Sequence, residues 1–141
     1  MSREILFRGK RKDNQDWVEG SLVISDGRYF IGVAPECITS LYYPDDIYAF
    51  TSFVEVISQI VGQYTGLIDK NGVKIFEGDI VKDSYGTLFT VVWDDINARF
   101  IGRVVSMRNK DKIVYVGREP AVEIIGNIYD TPEILEQSNE Q

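Results

Sequence analysis

Five short apolar runs, separated by turn-forming residues, follow one another at nearly constant spacing through the C-terminal half of the sequence. They are IVKDS (80–84), TLFTVVW (87–93), RFIGRVVSM (99–107), KIVYVG (112–117) and VEIIGNIYD (122–130). Runs of β-branched and aromatic residues that recur every 8–12 residues or so are typical of small all-β sandwiches and barrels. The pattern therefore predicts a small, closed or nearly closed, five-stranded β-barrel module over residues 62–135.

The N-terminal part has the same β character but a different organisation. Its strand-like runs are EILFRG (4–9), WVEGSLVI (17–24), RYFIGV (28–33) and VEVISQIV (54–61). The third and fourth runs are separated by an irregular, aromatic and acidic stretch, about 34–53, in which Pro35 and Pro44 interrupt regular pairing. These features predict an N-terminal β module over residues 1–61 that carries a long insertion.

The C-terminal end of the sequence has a helix-start pattern. Thr131 is a suitable N-cap and Pro132 is favoured at the first helical position. We expect a short helical turn here, followed by a disordered acidic tail over residues 136–141. The fold class is thus mainly β, with one short helical element.

Composition excludes several classes of function. The 141 residues include no histidine, the commonest general base and metal ligand, and the single Cys37 has no partner for an intramolecular disulfide. No secretory signal and no apolar run of membrane-spanning length is visible. We expect a cytoplasmic protein without a cofactor or metal.

The stretch GQYTGLIDKNGVKIFEGDIV, residues 62–81, combines four glycines with a Lys-Asn-Gly corner. It lacks the glycine spacing and the helix of a phosphate-binding loop, and its Ile75-Phe76 interior reads as a strand rather than a calcium loop. Tight turns explain it without a ligand. The residues predicted to make these turns are Gly62, Tyr64, Gly66, Asn71, Gly72, Glu77, Gly78 and Asp79.

This stretch resembles the signature of the YopX family, small proteins encoded by bacteriophages and prophages. REILFRGKRKDNQDWVEG, VVWDDINARF and VEIIGNIYDTPEIL are similar to other recurrent segments of that family, so the resemblance covers residues 3–135. It implies a mainly β protein with an SH3-like barrel in its C-terminal half, acting in the cytoplasm of an infected bacterium. The family carries no established activity, so the resemblance transfers no catalytic residue.

The charge is unevenly distributed along the chain. The net charge is −7, which disfavours a general binder of the phosphate backbone, yet residues 3–12 and 99–118 are strongly basic. If both segments lie on one face, a nucleic-acid-associated protein is the alternative function. Its predicted contacts are Arg8, Lys10, Arg11, Lys12, Arg103, Arg108, Lys110 and Lys112.

Aromatic residues offer a candidate partner surface. Several flank the Pro44-Asp45-Asp46 corner of the insertion, and Tyr64 with Trp93 and Phe100 is a candidate groove lining. The competing interpretation is structural, with the rings packed onto the β modules. The predicted partner surface comprises Tyr42, Tyr43, Tyr48, Phe50, Tyr64 and Trp93.

A carboxylate-based enzyme is the second alternative. It predicts a pocket holding two of Asp69, Asp79, Asp94 and Asp95. The leading hypothesis remains a non-enzymatic binding module for a host or phage protein, and strand edges leave a homo-oligomer open.

Overall fold

A computed structural model describes residues 3–33, 52–105, 113–114 and 122–139. The described residues form two compact units, residues 4–63 and residues from Tyr64 onward together with Arg3, which we describe separately. The boundary predicted after residue 61 lies two residues before this division, and as a domain limit it stays a prediction.

The strands of the first unit are β1 (Phe7–Lys10), β2 (Trp17–Ser25), β3 (Arg28–Val33) and β4 (Ser52–Val56). They form an antiparallel sheet in the order β4-β3-β2-β1, and Gly62 and Gln63 pair with the outer side of β1. Asp26 and Gly27, with φ of 51° and 71°, form the two-residue corner between β2 and β3. That conformation is the one that joins twisted strands tightly.

The core of this unit lies on one face of the sheet. Ile31 and Val56 are buried there, and a Cβ built on Gly9 would come within 3.2 Å of both. An isolated bridge links Arg11 to Val56, and the N–H of Ile57 donates to the carbonyl of Lys10 at 2.9 Å. Glycine at position 9 therefore allows β1 to pass close over the core.

The strand predicted over residues 54–61 is shorter than expected. β4 ends at Val56, and a 3₁₀ turn follows at Ser58–Ile60. The reason is a change of partner, because Ile57 bonds to Lys10 rather than continuing the ladder to β3.

The second unit contains a hairpin and a five-stranded antiparallel sheet of order β10-β9-β8-β7-β11. The elements are β5 (Gly62–Ile68, which begins at the end of the first unit), β6 (Lys74–Phe76), β7 (Asp79–Lys82), β8 (Leu88–Asp94), β9 (Arg99–Val104), β10 (Ile113–Val114), β11 (Glu123–Asn127) and α1 (Glu133–Asn139). Ile75, Val81, Phe89, Val91 and Val122 form its buried core.

The mainly β class and the five C-terminal strands are confirmed, but closure is not. Neither sheet closes among the described residues, because β11 pairs with β7 at one edge and β10 with β9 at the other. An SH3-like barrel stays a prediction.

A short helix after Thr131 is also confirmed, although the Thr131 hydroxyl bonds back to Asn127. The helix continues to Asn139, into the segment assigned from the sequence to the disordered tail. Among the described helices, none has the length and hydrophobicity needed to cross a bilayer.

Candidate functional site

The glycine-rich segment 62–81 builds β5, β6 and the start of β7. Gly62 pairs with Arg8 of β1, and Gly66 has φ of 89° where the register between β5 and β6 shifts. Tyr64 is buried and its ring lies 5.6 Å from that of Phe76. Tyr64 is therefore a packing residue in this fold and is not exposed to a partner.

Asp69 is a buried carboxylate, 5% exposed, at the end of this strand. Its Oδ1 accepts hydrogen bonds from the N–H groups of Asn71 (2.8 Å) and Val73 (2.9 Å), and its Oδ2 accepts one from Ile124 (3.1 Å). Burial opposes ionisation, but the hydrogen bonds outweigh it and lower the pKa of Asp69 below its usual value. The carboxylate thus holds the hairpin turn and ties it to β11.

The turn that follows Asp69 in the sequence depends on Gly72, whose φ is 81°. The Gly72 N–H donates to the Asp69 carbonyl at 3.0 Å. Beside it, the Lys70 N–H donates to the Val122 carbonyl (2.9 Å), and Lys70 Nζ pairs with Glu123 Oε2 (3.2 Å). Asn71 lies between them as an exposed turn residue.

The second corner, Glu77-Gly78-Asp79, leads into β7. Asp79 is buried, and its Oδ2 accepts the N–H of Phe76 at 2.7 Å. Glu77, half-buried, precedes Gly78 in this turn. Asp69 and Asp79 therefore both have backbone partners that account for their burial without catalysis. In the described ranges, no group of three or more acidic or Cys side chains is arranged to hold a metal.

The β8–β9 hairpin presents apolar side chains to solvent. Trp93 is 41% exposed and meets Phe100 edge-on at 4.9 Å, while Ile96, at the tip, is 92% exposed. Asp94 organises the turn, since its carboxylate accepts hydrogen bonds from the Ile96 N–H (3.1 Å), Asn97 Nδ2 (2.8 Å) and Arg99 Nε (3.4 Å). These bonds, led by that of Asn97, lower the pKa of Asp94.

Basic residues of the first segment cluster around one aromatic ring. Arg8 Cζ and Lys10 Nζ lie 4.9 and 5.3 Å from the centroid of Trp17. Arg11 pairs with Asp13, Nη2 to Oδ2 at 2.7 Å. The side-chain bond of Arg11 lowers the pKa of that carboxyl.

Glu55 joins two further cations. Its Oε2 is 3.0 Å from Lys12 Nζ and its Oε1 is 2.7 Å from Arg28 Nη2. The hydrogen bond from Arg28, and then that from Lys12, lower the pKa of Glu55 to about 2. Lys12, predicted to contact nucleic acid, is therefore already engaged with a carboxylate.

The remaining predicted residues divide by location. Arg103 is exposed on β9. Those outside the described residues are Arg108, Lys110, Lys112, Tyr42, Tyr43, Tyr48 and Phe50. Both the partner surface of the insertion and the second basic segment thus stay predictions.

Ile96 and Phe30 are not among the predicted site residues, whereas Phe53 belongs to the aromatic cluster of residues 42–53 that the sequence offers as a protein-binding surface. Ile96 has a visible signal, a lone aliphatic residue inside the polar corner DDINA. Phe30 has none, because only the strand register shows which face of the sheet it shares with the cations.

Comparison with known proteins supplies a family and a fold. The sequence matches the family model described as YopX protein over residues 6–136, which confirms the resemblance. The crystal structure of protein EF1440 from Enterococcus faecalis is similar, with a TM-score of 0.54, 20% identity, and 95% of this chain and 99% of that chain covered. At this identity the likeness shows the fold alone. No curated protein matches the sequence significantly.

Proposed function

We propose that this chain, which belongs to the YopX family, is a non-enzymatic accessory protein of a phage or prophage that works in the bacterial cytoplasm by binding another protein. The observation that carries the proposal is the exposed apolar tip of the β8–β9 hairpin. The tip is defined by Trp93, Ile96 and Phe100.

An aliphatic side chain as exposed as Ile96 gains nothing for the isolated fold, because it buries almost no apolar surface. In a partner's apolar pocket, the same side chain removes its surface from water. Trp93, three residues earlier near the end of β8, belongs to a residue type that is enriched at interface hot spots. The tip therefore combines a small aliphatic anchor with an aromatic one.

The turn that carries Ile96 is held in one geometry before any partner arrives. Asp94 accepts three hydrogen bonds within it, and Ala98 adopts a left-handed φ of 53°. Rigid anchors lose less conformational entropy on binding than flexible ones. Non-glycine residues in this conformation are uncommon and concentrate at functional sites. Both points favour recognition by a preformed hairpin.

The carboxylate-enzyme alternative receives less support. Asp69 and Asp79 accept backbone hydrogen bonds, and Asp94 is engaged within its own turn. A general acid or base needs a carboxylate that reaches the substrate. The bonds made by these three side chains instead maintain local structure.

The test is affinity capture from prophage-carrying cells, with and without nuclease, using tagged wild-type protein and Ile96→Asp. Tyr85→Asp is the matched control, because Tyr85 is 85% exposed in the neighbouring β7–β8 turn. We expect wild type and Tyr85→Asp to recover one stoichiometric protein regardless of nuclease, and Ile96→Asp to lose it with an unchanged melting temperature. Recovery unaffected by Ile96→Asp, or abolished by nuclease, contradicts the proposal.

A further inference from the structure

The outward face of the first unit carries aromatic and basic side chains together. In an antiparallel sheet, directly opposed residues point to the same side. Lys10 is opposite Trp17, Phe30 is opposite both Val23 and Glu55, and Phe53 is opposite Gly32. The basic–aromatic face, as we name it, comprises Arg8, Lys10, Trp17, Arg28, Phe30 and Phe53.

This face is opposite the core of the unit. Side chains alternate along a strand, so Phe30 and Ile31 point to opposite sides of β3. Ile31 is completely buried, whereas Phe53, two strands away from β2, is 54% exposed. Among the described residues, the basic–aromatic face is therefore the more solvent-exposed side of the sheet.

Cations and rings are interleaved across the face. Arg8 and Lys10 lie over Trp17 at 4.9 and 5.3 Å, and Arg28 Cζ lies 5.2 Å from the centroid of Phe30. Glu55 bonds to Arg28 and to Lys12, which draws Lys12 toward the same side. The basic side chains of the face, namely Arg8, Lys10 and Arg28, outnumber the acidic Glu19 and Glu55 on the same side of the sheet.

We infer that the basic–aromatic face binds single-stranded nucleic acid, DNA or RNA. Sequence-tolerant binding of single strands combines a positive surface with aromatic side chains on which successive bases stack. Bases also stack on arginine guanidinium planes, so the cations over Trp17 and Phe30 are compatible with the same role. An acidic peptide would use the cations but would leave three exposed or half-exposed rings without a function.

The dimensions of the sheet suit a short strand of nucleotides. Trp17 and Val23, the β2 residue opposite Phe30, are six residues apart in one strand. At a rise of about 3.3 Å per residue this separation is roughly 20 Å. A surface of this length accommodates about four nucleotides, which is the small end of the roughly 4–16 nucleotides that one OB-fold module covers.

Charge argues for a single strand rather than a duplex. The chain has a net charge of −7, so it is poorly suited to the many phosphate contacts that hold duplex DNA. With two or three phosphate contacts, the expected slope of log K against log salt is only about −1.5 to −2. The inference concerns the first unit and is independent of the proposed protein-binding hairpin.

The experiment is fluorescence anisotropy of the full chain with a labelled oligothymidylate of about 12 nucleotides. The variant is Phe53→Ala, and Tyr85→Ala is the matched control because Tyr85 is also exposed but lies in the other unit. Alanine in place of one stacking ring should weaken binding about 5- to 160-fold. The control should bind like wild type, and both proteins should keep the wild-type melting temperature.

A second measurement reports stacking directly. In a Trp93→Phe background, Trp17 is the single tryptophan. Its fluorescence should be quenched by an oligothymidylate or an oligouridylate. The oligonucleotide that quenches at the lower concentration identifies DNA or RNA as the ligand. Several results overturn the inference: no anisotropy change, equal affinity for a duplex of the same length, or equal affinity for polyglutamate. Wild-type affinity in Phe53→Ala also overturns it.

Discussion

Gly78 provides the sharpest test of the idea that the glycines of residues 62–81 serve to form tight turns rather than to bind a ligand. Its φ is 93°, its N–H donates to the Val91 carbonyl at 2.8 Å and its carbonyl accepts the Ile128 N–H at 3.0 Å. The backbone is therefore held on both sides and has little freedom to relax. Replacing Gly78 by alanine forces an L side chain into this conformation, at a cost of about 1–2 kcal/mol.

A second term comes from packing. A Cβ at position 78 would lie 3.1 Å from Cε2 of Tyr129, so the ring has to move by a few tenths of an ångström. Overpacking of this kind costs about 1–3 kcal/mol. The sum is roughly 2–5 kcal/mol, and at about 4 °C per kcal/mol for a chain of this length the melting temperature should fall by ~8–20 °C. The β-branched Gly78→Val should cost more, because its χ1 is restricted.

Thermal unfolding followed by circular dichroism measures the effect, and Gly72→Ala is the control. Gly72 has φ of 81°, but a Cβ there would meet nothing within 4 Å. Gly72→Ala therefore measures the cost of the left-handed backbone alone, without a packing cost. We expect Gly72→Ala to lose about 1–2 kcal/mol and Gly78→Ala distinctly more. A Gly78→Ala protein that melts with the wild type, or above Gly72→Ala, refutes the reasoning.

Three further perturbations follow from single side chains. Asp69→Asn should lower the free energy of unfolding by about 2–3 kcal/mol, and with it the urea midpoint, because its amide N–H₂ would face the Ile124 N–H or a turn N–H. A wild-type midpoint would contradict the role of Asp69 in holding the turn to β11. Glu55 has a folded pKa of about 2 against an ordinary 4.5, so its contribution to stability is complete above about pH 4.5 and is lost as pH falls toward 2. Glu55→Gln should therefore be less stable than wild type at pH 7 and approach it at pH 2 in urea titrations; equal stability at pH 7 would contradict the pairing. Ala98→Gly should raise the free energy of unfolding by up to about 1 kcal/mol, because strain is relieved, and so raise the melting temperature slightly; a decrease would show that the left-handed turn is not strained.

The strands were predictable because their evidence is local. Asp26-Gly27 and Lys70-Asn71-Gly72 supply the residues that tight corners need, and the apolar runs between corners have strand length. The end of β4 at Val56 was not predictable, because it depends on a hydrogen bond between Ile57 and Lys10, which are far apart in the sequence. Local patterns carry no information about such partners.

The same limit applies to the surfaces. Tyr64 and Trp93 look alike in sequence as aromatic residues in strands, yet Tyr64 is buried against Phe76 and Trp93 reaches solvent. The role of Asp69 was also hidden, because one of its three donors, Ile124, lies in a strand 55 residues later. Exposure and long-range hydrogen bonding are properties of the assembled fold.

The central claim, that the β8–β9 hairpin tip engages a protein partner, is tested most directly by site-specific photo-crosslinking. A photoreactive benzoylphenylalanine replaces Ile96 in one protein and Tyr85, equally surface-accessible, in another, and both are irradiated in prophage-carrying cells. We expect one discrete crosslinked protein from position 96 that is absent from position 85. No crosslink at position 96, or the same products from both positions, would contradict it.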